Sequence, residues 1–225
     1  MARIGDSIVN TTLVVCALSI GASVSYRAFQ RPQSSAAPPT PTHMRAWDEV
    51  LSLGRSISGD DTASTTVAIF GDLQCPACKG YHEIVVRRIL EEHPHDVRVL
   101  FLSFPLSYHK YALPAARATE CIHSASERRQ WIDLLYSKQD SLGLKSWGAF
   151  AAEAGLRDTS TIVTCADGRS IPSDIAAILK LGKDLVRGTP TVAVNGWVYP
   201  HPPSVEEIDS LRRAATGSSR PSPPS

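Results

Sequence analysis

The sequence predicts an α/β fold built on a small mixed sheet. Three observations carry that reading. Residues 66–102 run strand, helix, strand, so the two strands lie parallel through a right-handed crossover. Residues 110–186 have helical spacing and no strand signal. Residues 191–199 then return to strand around Asn195-Gly196, a strong two-residue hairpin signal.

A chain of 225 residues, 43% of them apolar, is enough for one domain of ordinary size with tails. Charge is balanced at a net +1, and no basic cluster is interleaved with aromatics, so a nucleic-acid partner is not expected. The five cysteines are Cys16, Cys75, Cys78, Cys121 and Cys165. With Cys16 set aside in an N-terminal apolar stretch, two candidate pairs remain, a usage that suits an oxidising compartment.

Residues 8–24 carry no charge, and Arg3, Arg27 and Arg31 flank them. Seventeen helical residues span about 26 Å, close to the roughly 30 Å hydrocarbon core. Residues 1–30 therefore fit a single membrane anchor or an export signal. Ser23-Val24-Ser25 is a tolerable cleavage site, whereas Asn10, Thr11 and Thr12 weaken the span. Cys16 follows Val15, which is not small, and so is a poor lipidation site. Pro32, Pro38, Pro39 and Pro41 make residues 31–43 an extended spacer, and the domain is expected over 44–215. Residues 44–53 have helical spacing, with a strand over 50–56 as the competing reading, and residues 59–61 form a turn.

The apolar run 66–71 is a short buried strand. Cys75-Pro76-Ala77-Cys78 follows it and opens a helix over 76–92, with Ile84, Val85, Ile89 and Leu90 on one side and His93-Pro94 ending it. A thiol in the first turn of a helix meets unpaired backbone N–H groups and the positive end of the dipole. Both favour the thiolate, the nucleophile of disulfide exchange. Pro76 fits the first helical position, where its missing N–H costs nothing. Cys75 is expected to be the exposed attacking sulfur and Cys78, a turn on, the resolving one. A zinc half-site and an inert structural disulfide are the other readings of this pair. Zinc calls for four ligands, however, and the sequence has no second CxxC and no metal-ligand spacing among His82, His93, His95, His109, His123 and His201. His82 reads as a surface histidine of the helix and Lys79 as either a solvated lysine or a positive charge near the thiolate.

Residues 97–102 form the second strand. The helical stretch 110–186 divides into pieces at 113–124, 127–137, a short helix capped by Ser146 and ended by Gly155, 159–166 and 174–185. After the hairpin, Ser204 caps a closing helix over 205–215 with Glu206 and Glu207 in its first turn. Residues 216–225 are Ser/Pro-rich and expected to be disordered.

Four motifs in this order carry a resemblance. They are Phe70-Gly-Asp-Leu-Gln-Cys-Pro-Ala-Cys78, Phe104-Pro-Leu106 with His109, Ala115-Ala-Arg-Ala118 with Cys121, and Gly188-Thr-Pro-Thr-Val-Ala-Val-Asn-Gly196. Over residues 65–215 the chain resembles the DsbA-like thiol:disulfide oxidoreductases, which implies a thioredoxin-like fold with an inserted helical subdomain. The resemblance implies that Pro190 is cis and packs beside the cysteines, and that Thr189 and Pro190 hold a substrate chain. It implies that Cys75 and Cys78 are catalytic, and that Cys121 and Cys165 form a second, structural disulfide; two buried free thiols are the alternative. Ile69 stands where many relatives carry a buried acid, which leaves the proton of Cys78 to water or another group. Ala77 replaces the histidine of the strongest oxidants.

The function that follows is thiol–disulfide exchange on exported proteins, most directly as a disulfide-forming oxidase. The alternatives are a reductase or isomerase, or a non-catalytic chaperone or partner-binding module. The expected partners are unfolded or reduced exported proteins and a membrane redox partner that recycles the pair. The expected place is the cell envelope or periplasm, tethered by the N-terminal segment, and neither cofactor nor metal is called for.

Overall fold

β-Branched and aromatic residues crowd 65–71 and 97–103, and in the computed structural model these become the central strands of a six-stranded sheet. The structure describes residues 40–57 and 61–217. The expected N-terminal segment, the spacer up to residue 39 and the tail from residue 218 lie outside them. Among the described residues no helix is long and apolar enough to cross a membrane.

The elements in order are β1 (Thr42–His43), α1 (Trp47–Leu53), β2 (Arg55–Ser56), β3 (Thr65–Gly71), α2, β4 (Val97–Ser103), α3 (Ala112–Glu120), α4 (Ala125–Ser137), α5 (Trp147–Glu153), α6 (Thr159–Ala166), α7 (Ser173–Gly182), β5 (Thr191–Val194), β6 (Trp197–Val198) and α8 (Val205–Gly217). α2 comprises Pro76–Tyr81, a π-helical turn His82–Val86 and Arg87–Glu92. The sheet order is β1-β6-β5-β3-β4-β2. β3 and β4 run parallel, with Val67 opposite Val99 and Ile69 opposite Phe101, and every other neighbour is antiparallel. β1 uses the last two residues of the expected spacer, and the segment read as helix or strand is both, α1 followed by β2.

Both faces of the sheet are covered, which is why its central strands read as continuous apolar runs. Val67, Ile69, Val97, Val99 and Phe101 pack with Val85, Val86, Ile89 and Leu90 of α2, with Ile208 of α8 and with Trp131, Ile132 and Leu135 of α4. Ala68, Phe70, Leu100 and Leu102 point the other way, onto Val50 of α1 and Ile178 of α7. Fully burying one such Ile, Leu or Phe contributes about 1.5–3 kcal/mol. The helical stretch thus divides: α3 to α6 gather on the α2 side, while α7 covers the opposite face.

The turn Asn195-Gly196 has positive φ at both residues, 47° and 86°, as a tight hairpin requires. Asn195 also ties the hairpin to β3: its side-chain carbonyl accepts from Thr66 N at 2.8 Å, and its own N–H donates to Thr66 O at 2.9 Å. Ser204 and Glu207 bond each other's backbone N–H groups, a reciprocal cap at the start of α8.

Two expectations for α2 are corrected. Ile84 is 71% exposed and does not share the buried side of Val85, Ile89 and Leu90. It continues the row Ala77, Gly80, Tyr81, spaced i, i+3, i+4, i+7, which faces a groove, whereas the inward row is Cys78, His82, Val85 and Ile89. His82 is buried for the same reason, being one turn beyond Cys78. Its Nε2 lies 2.5 Å from Asp133 Oδ1 of α4, and its ring packs on Tyr136.

Candidate active site

The site forms where β3 ends and α2 begins. Asp72 closes the strand, the N–H of Cys75 donates to Asp72 O at 3.1 Å, and Cys75 caps the helix with extended backbone angles. Pro76 takes the first helical position, and Lys79 N donates to Cys75 O at 3.1 Å, completing the first turn. This local geometry sets Cys75 and Cys78 one turn apart, both as free thiols.

From the other side, the loop before β5 brings in Thr189 and Pro190, joined by a cis peptide bond. The Cys75 thiol faces Thr189 O at 3.4 Å. This cover makes Cys75 only 8% exposed, a correction to the exposed sulfur expected from sequence, and Cys78 lies deeper at 2%.

The two thiols are strongly differentiated. Cys75 is lowered to about 5, chiefly by the hydrogen bond from Cys78; burial opposes this, and Thr189 with the first helical N–H groups assists. Cys78 is pushed far up, first by burial and then by sharing its proton with Cys75, while the Asp72 N–H, 3.5 Å from its sulfur, acts weakly in the other direction. A low thiol beside a high one is the arrangement in which one sulfur attacks and the other is held in reserve.

Three residues that sequence reasoning passed over frame the pair. The buried carboxylate of Asp72 accepts from Gln74 N at 2.7 Å and Leu106 N at 2.8 Å, and it lies 2.8 Å from His109 Nδ1. It thereby locks the loop before Cys75 to the loop after β4. Gln139, just beyond α4, donates to Leu73 O at 3.0 Å and Cys75 O at 3.1 Å. Tyr136, also from α4, is buried with its hydroxyl donating to Asp72 O at 3.4 Å. Asp72 sits three residues before Cys75, inside the first of the four motifs, where the sequence assigns it no role. The other two are brought in only by the packing of α4.

Beside Pro190 lies a groove of about 600 Å³ lined by Ala77, Gly80, Tyr81, Ile84, Thr189 and Pro202 among others. Away from the site, Cys121 after α3 and Cys165 in α6 are joined as a disulfide. Lys79 enters the site through its backbone N–H, and its ammonium makes none of the hydrogen bonds described above. Among the described residues no group of three or more His, Cys, Asp or Glu side chains is placed to hold a metal ion.

A family model described as Thioredoxin matches residues 52–211. In sequence the chain is 29% identical over 165 residues to Na(+)/H(+) antiporter NhaA 3 of Salinispora tropica, covering 73% of this chain and 25% of that protein. It is 35% identical over 85 residues to Probable disulfide bond formation protein D of Bacillus anthracis, covering 36% of this chain and 39% of that one. The chain thus spans about a quarter of the antiporter relatives and about two fifths of the disulfide-formation relatives. Among solved structures, oxidised BdbD from Bacillus subtilis superposes with a TM-score of 0.63 at 21% identity, over 80% of this chain and 100% of that one. Wolbachia pipientis alpha-DsbA1 gives 0.60 at 20% identity, over 71% and 92%. At these identities the likeness is one of fold.

Proposed function

Since the chain belongs to the thioredoxin family through residues 52–211, we propose that it is a thiol–disulfide oxidoreductase that forms disulfides in exported proteins. The observation that carries this reading is the pairing of a Cys75 thiol held at about 5 with a buried, strongly raised Cys78, beside cis Thr189–Pro190. The relatives named for disulfide bond formation support it.

In the oxidised protein the two sulfurs are bonded. A substrate thiolate attacks Cys75 Sγ, a new sulfur–sulfur bond forms there, and the Cys75–Cys78 bond breaks with its electron pair passing to Cys78. Cys78 then takes up a proton. A second substrate thiol loses its proton and, as thiolate, attacks the substrate sulfur of the mixed disulfide, expelling Cys75 as thiolate. The substrate is oxidised by two electrons and the cysteine pair reduced by two, with no cofactor. A pair whose reduced form is stabilised through its thiolate is an oxidant. The Thr189 carbonyl gives an extended substrate backbone a partner beside Cys75. The groove along Ala77, Tyr81 and Ile84 takes the apolar side chains that an unfolded substrate exposes.

In this reading the partners are reduced or unfolded exported proteins and a membrane redox protein that reoxidises the pair. The place is extracytoplasmic, with residues 1–30 directing export and serving as anchor. Cys121–Cys165 braces α3 against α6.

The test is stoichiometric oxidation of a reduced, unfolded protein by the oxidised full chain. The expected result is disulfide formation that Cys75→Ser abolishes. Ala77, which brings no imidazole to the thiolate, favours a reductase as the second reading. Catalytic reduction of insulin without net oxidation of the unfolded protein is the outcome that favours it. Capture of unfolded protein without any thiol turnover reduces the chain to a binding module.

A further inference from the structure

The groove beside Pro190 is apolar along most of its lining and charged at one point. Tyr81 and Ile84 of α2 line it together with Pro190, Pro200 and Pro202. Among the described residues that line it, Arg187 is the one charged side chain. Arg187 is exposed and stands two residues before Thr189, whose carbonyl faces the Cys75 thiol at 3.4 Å. Among the described residues no carboxylate lies within ion-pair distance of it, Asp184 three residues earlier included. Other exposed arginines are paired: Arg88 with Glu92, Arg157 with Glu127 and Arg213 with Asp209. Glu207, whose charge is felt by Tyr81, is bound to Ser204 N at 2.7 Å in the cap of α8 and does not line the groove.

We propose that Arg187 is a specificity-determining residue, selecting substrate segments that carry an Asp or Glu close to the reactive cysteine. This inference rests on the disulfide-exchange reading. A substrate thiol must reach Cys75 Sγ, so the chain around it lies beside Thr189. Two residues of protein backbone span at most about 7 Å, and the long arginine stem carries the guanidinium further. An extended substrate advances about 3.3 Å per residue. A carboxylate within about four residues of the substrate cysteine therefore falls in reach of Arg187. The planar fork of the guanidinium matches a carboxylate with two parallel N–H···O bonds. The apolar walls beside it focus its field on whatever lies in the groove. Apolar segments are common to all unfolded proteins, so the groove alone does not distinguish among them; the single charge does. A pair exposed to this degree is worth about two- to fivefold in rate.

The experiment uses the oxidised full chain and unstructured peptides with a single cysteine. Asp or Asn occupies one position, moved through the four residues on either side of that cysteine. The peptide thiolate attacks Cys75 Sγ and the electron pair leaves on Cys78, and the second-order rate of this opening is read by quenched alkylation. Each Asp rate is divided by the matching Asn rate, then by the same ratio toward 2-hydroxyethyl disulfide, so the intrinsic reactivity of the peptide thiol cancels. At one or more positions the corrected ratio is expected at about two- to fivefold. Arg187→Glu is expected to bring it to one or below. Arg169→Glu makes the same change of charge at an exposed site beyond α6, and is expected to keep the parent's ratio. A corrected ratio of one at every position, a preference that survives Arg187→Glu, or one lost equally in Arg169→Glu each overturns the inference and leaves the disulfide-exchange reading standing. A parent protein whose disulfide no peptide opens overturns that reading and this inference with it.

Discussion

Acidifying the reduced protein exposes what Cys75 contributes. The fold holds this thiol at about 5, against about 8.5 for cysteine in an unfolded chain. At pH 7 the folded side chain is ionised and the unfolded one still protonated, about two pH units of difference. At about 1.4 kcal/mol per unit, ionised Cys75 stabilises the reduced fold by about 3 kcal/mol at pH 7. Because the folded value lies below the unfolded one, the contribution is complete above about pH 8.5 and is lost as pH falls through about 5. The oxidised protein has no thiol at this position, so titrations common to both forms cancel when the two are compared. The same energy corresponds to a reduction potential about 60 mV above that of a pair with an ordinary thiol, since 30 mV equals about 1.4 kcal/mol for two electrons. The assay is denaturant unfolding of reduced and oxidised protein between pH 7 and 4. The stability of the reduced form relative to the oxidised one is expected to fall by about 3 kcal/mol, steadily from pH 7 and levelling off below pH 5. A relative stability flat across this window refutes the reasoning.

Ala77→His restores an imidazole beside the thiolate and is expected to raise the potential by tens of millivolts, or about 1–2 kcal/mol, read from equilibration with glutathione. Ile84→Asp puts a charge in the groove; oxidation of an unfolded protein should slow several-fold more than oxidation of dithiothreitol, with stopped-flow rates as the check. Replacing Cys121 and Cys165 by alanine opens a loop closed across 44 residues. It should cost about 4 kcal/mol in the chain-entropy account while leaving exchange intact, as denaturation curves and oxidation assays will tell.

The parts of the site that lie along one strand and one helix were legible. β3, the CxxC turn and α2 are consecutive in sequence, and a continuous apolar run gives way to helical spacing after Cys75. The Asn195-Gly196 turn announces itself because only a few residue types accept its backbone angles. What was hidden depends on α4. His82 reads as a surface residue until Asp133 and Tyr136 are laid over it from more than 50 residues away, and nothing local marks Gln139 as the partner of the Cys75 carbonyl. Ile84 was misplaced because two rows of apolar residues adjoin on α2, and periodicity alone does not say which faces the core and which the groove. The burial of Cys75 was missed for the same kind of reason, since its cover comes from Thr189 and Pro190.

The reduction potential of the Cys75–Cys78 pair at pH 7, measured by equilibration with glutathione buffers, tests the central claim most directly. A disulfide-forming enzyme with a thiolate this well stabilised has a potential on the oxidising side of thioredoxin's roughly −270 mV, between it and the DsbA value near −120 mV. A potential below about −270 mV contradicts the account and makes the protein a reductase.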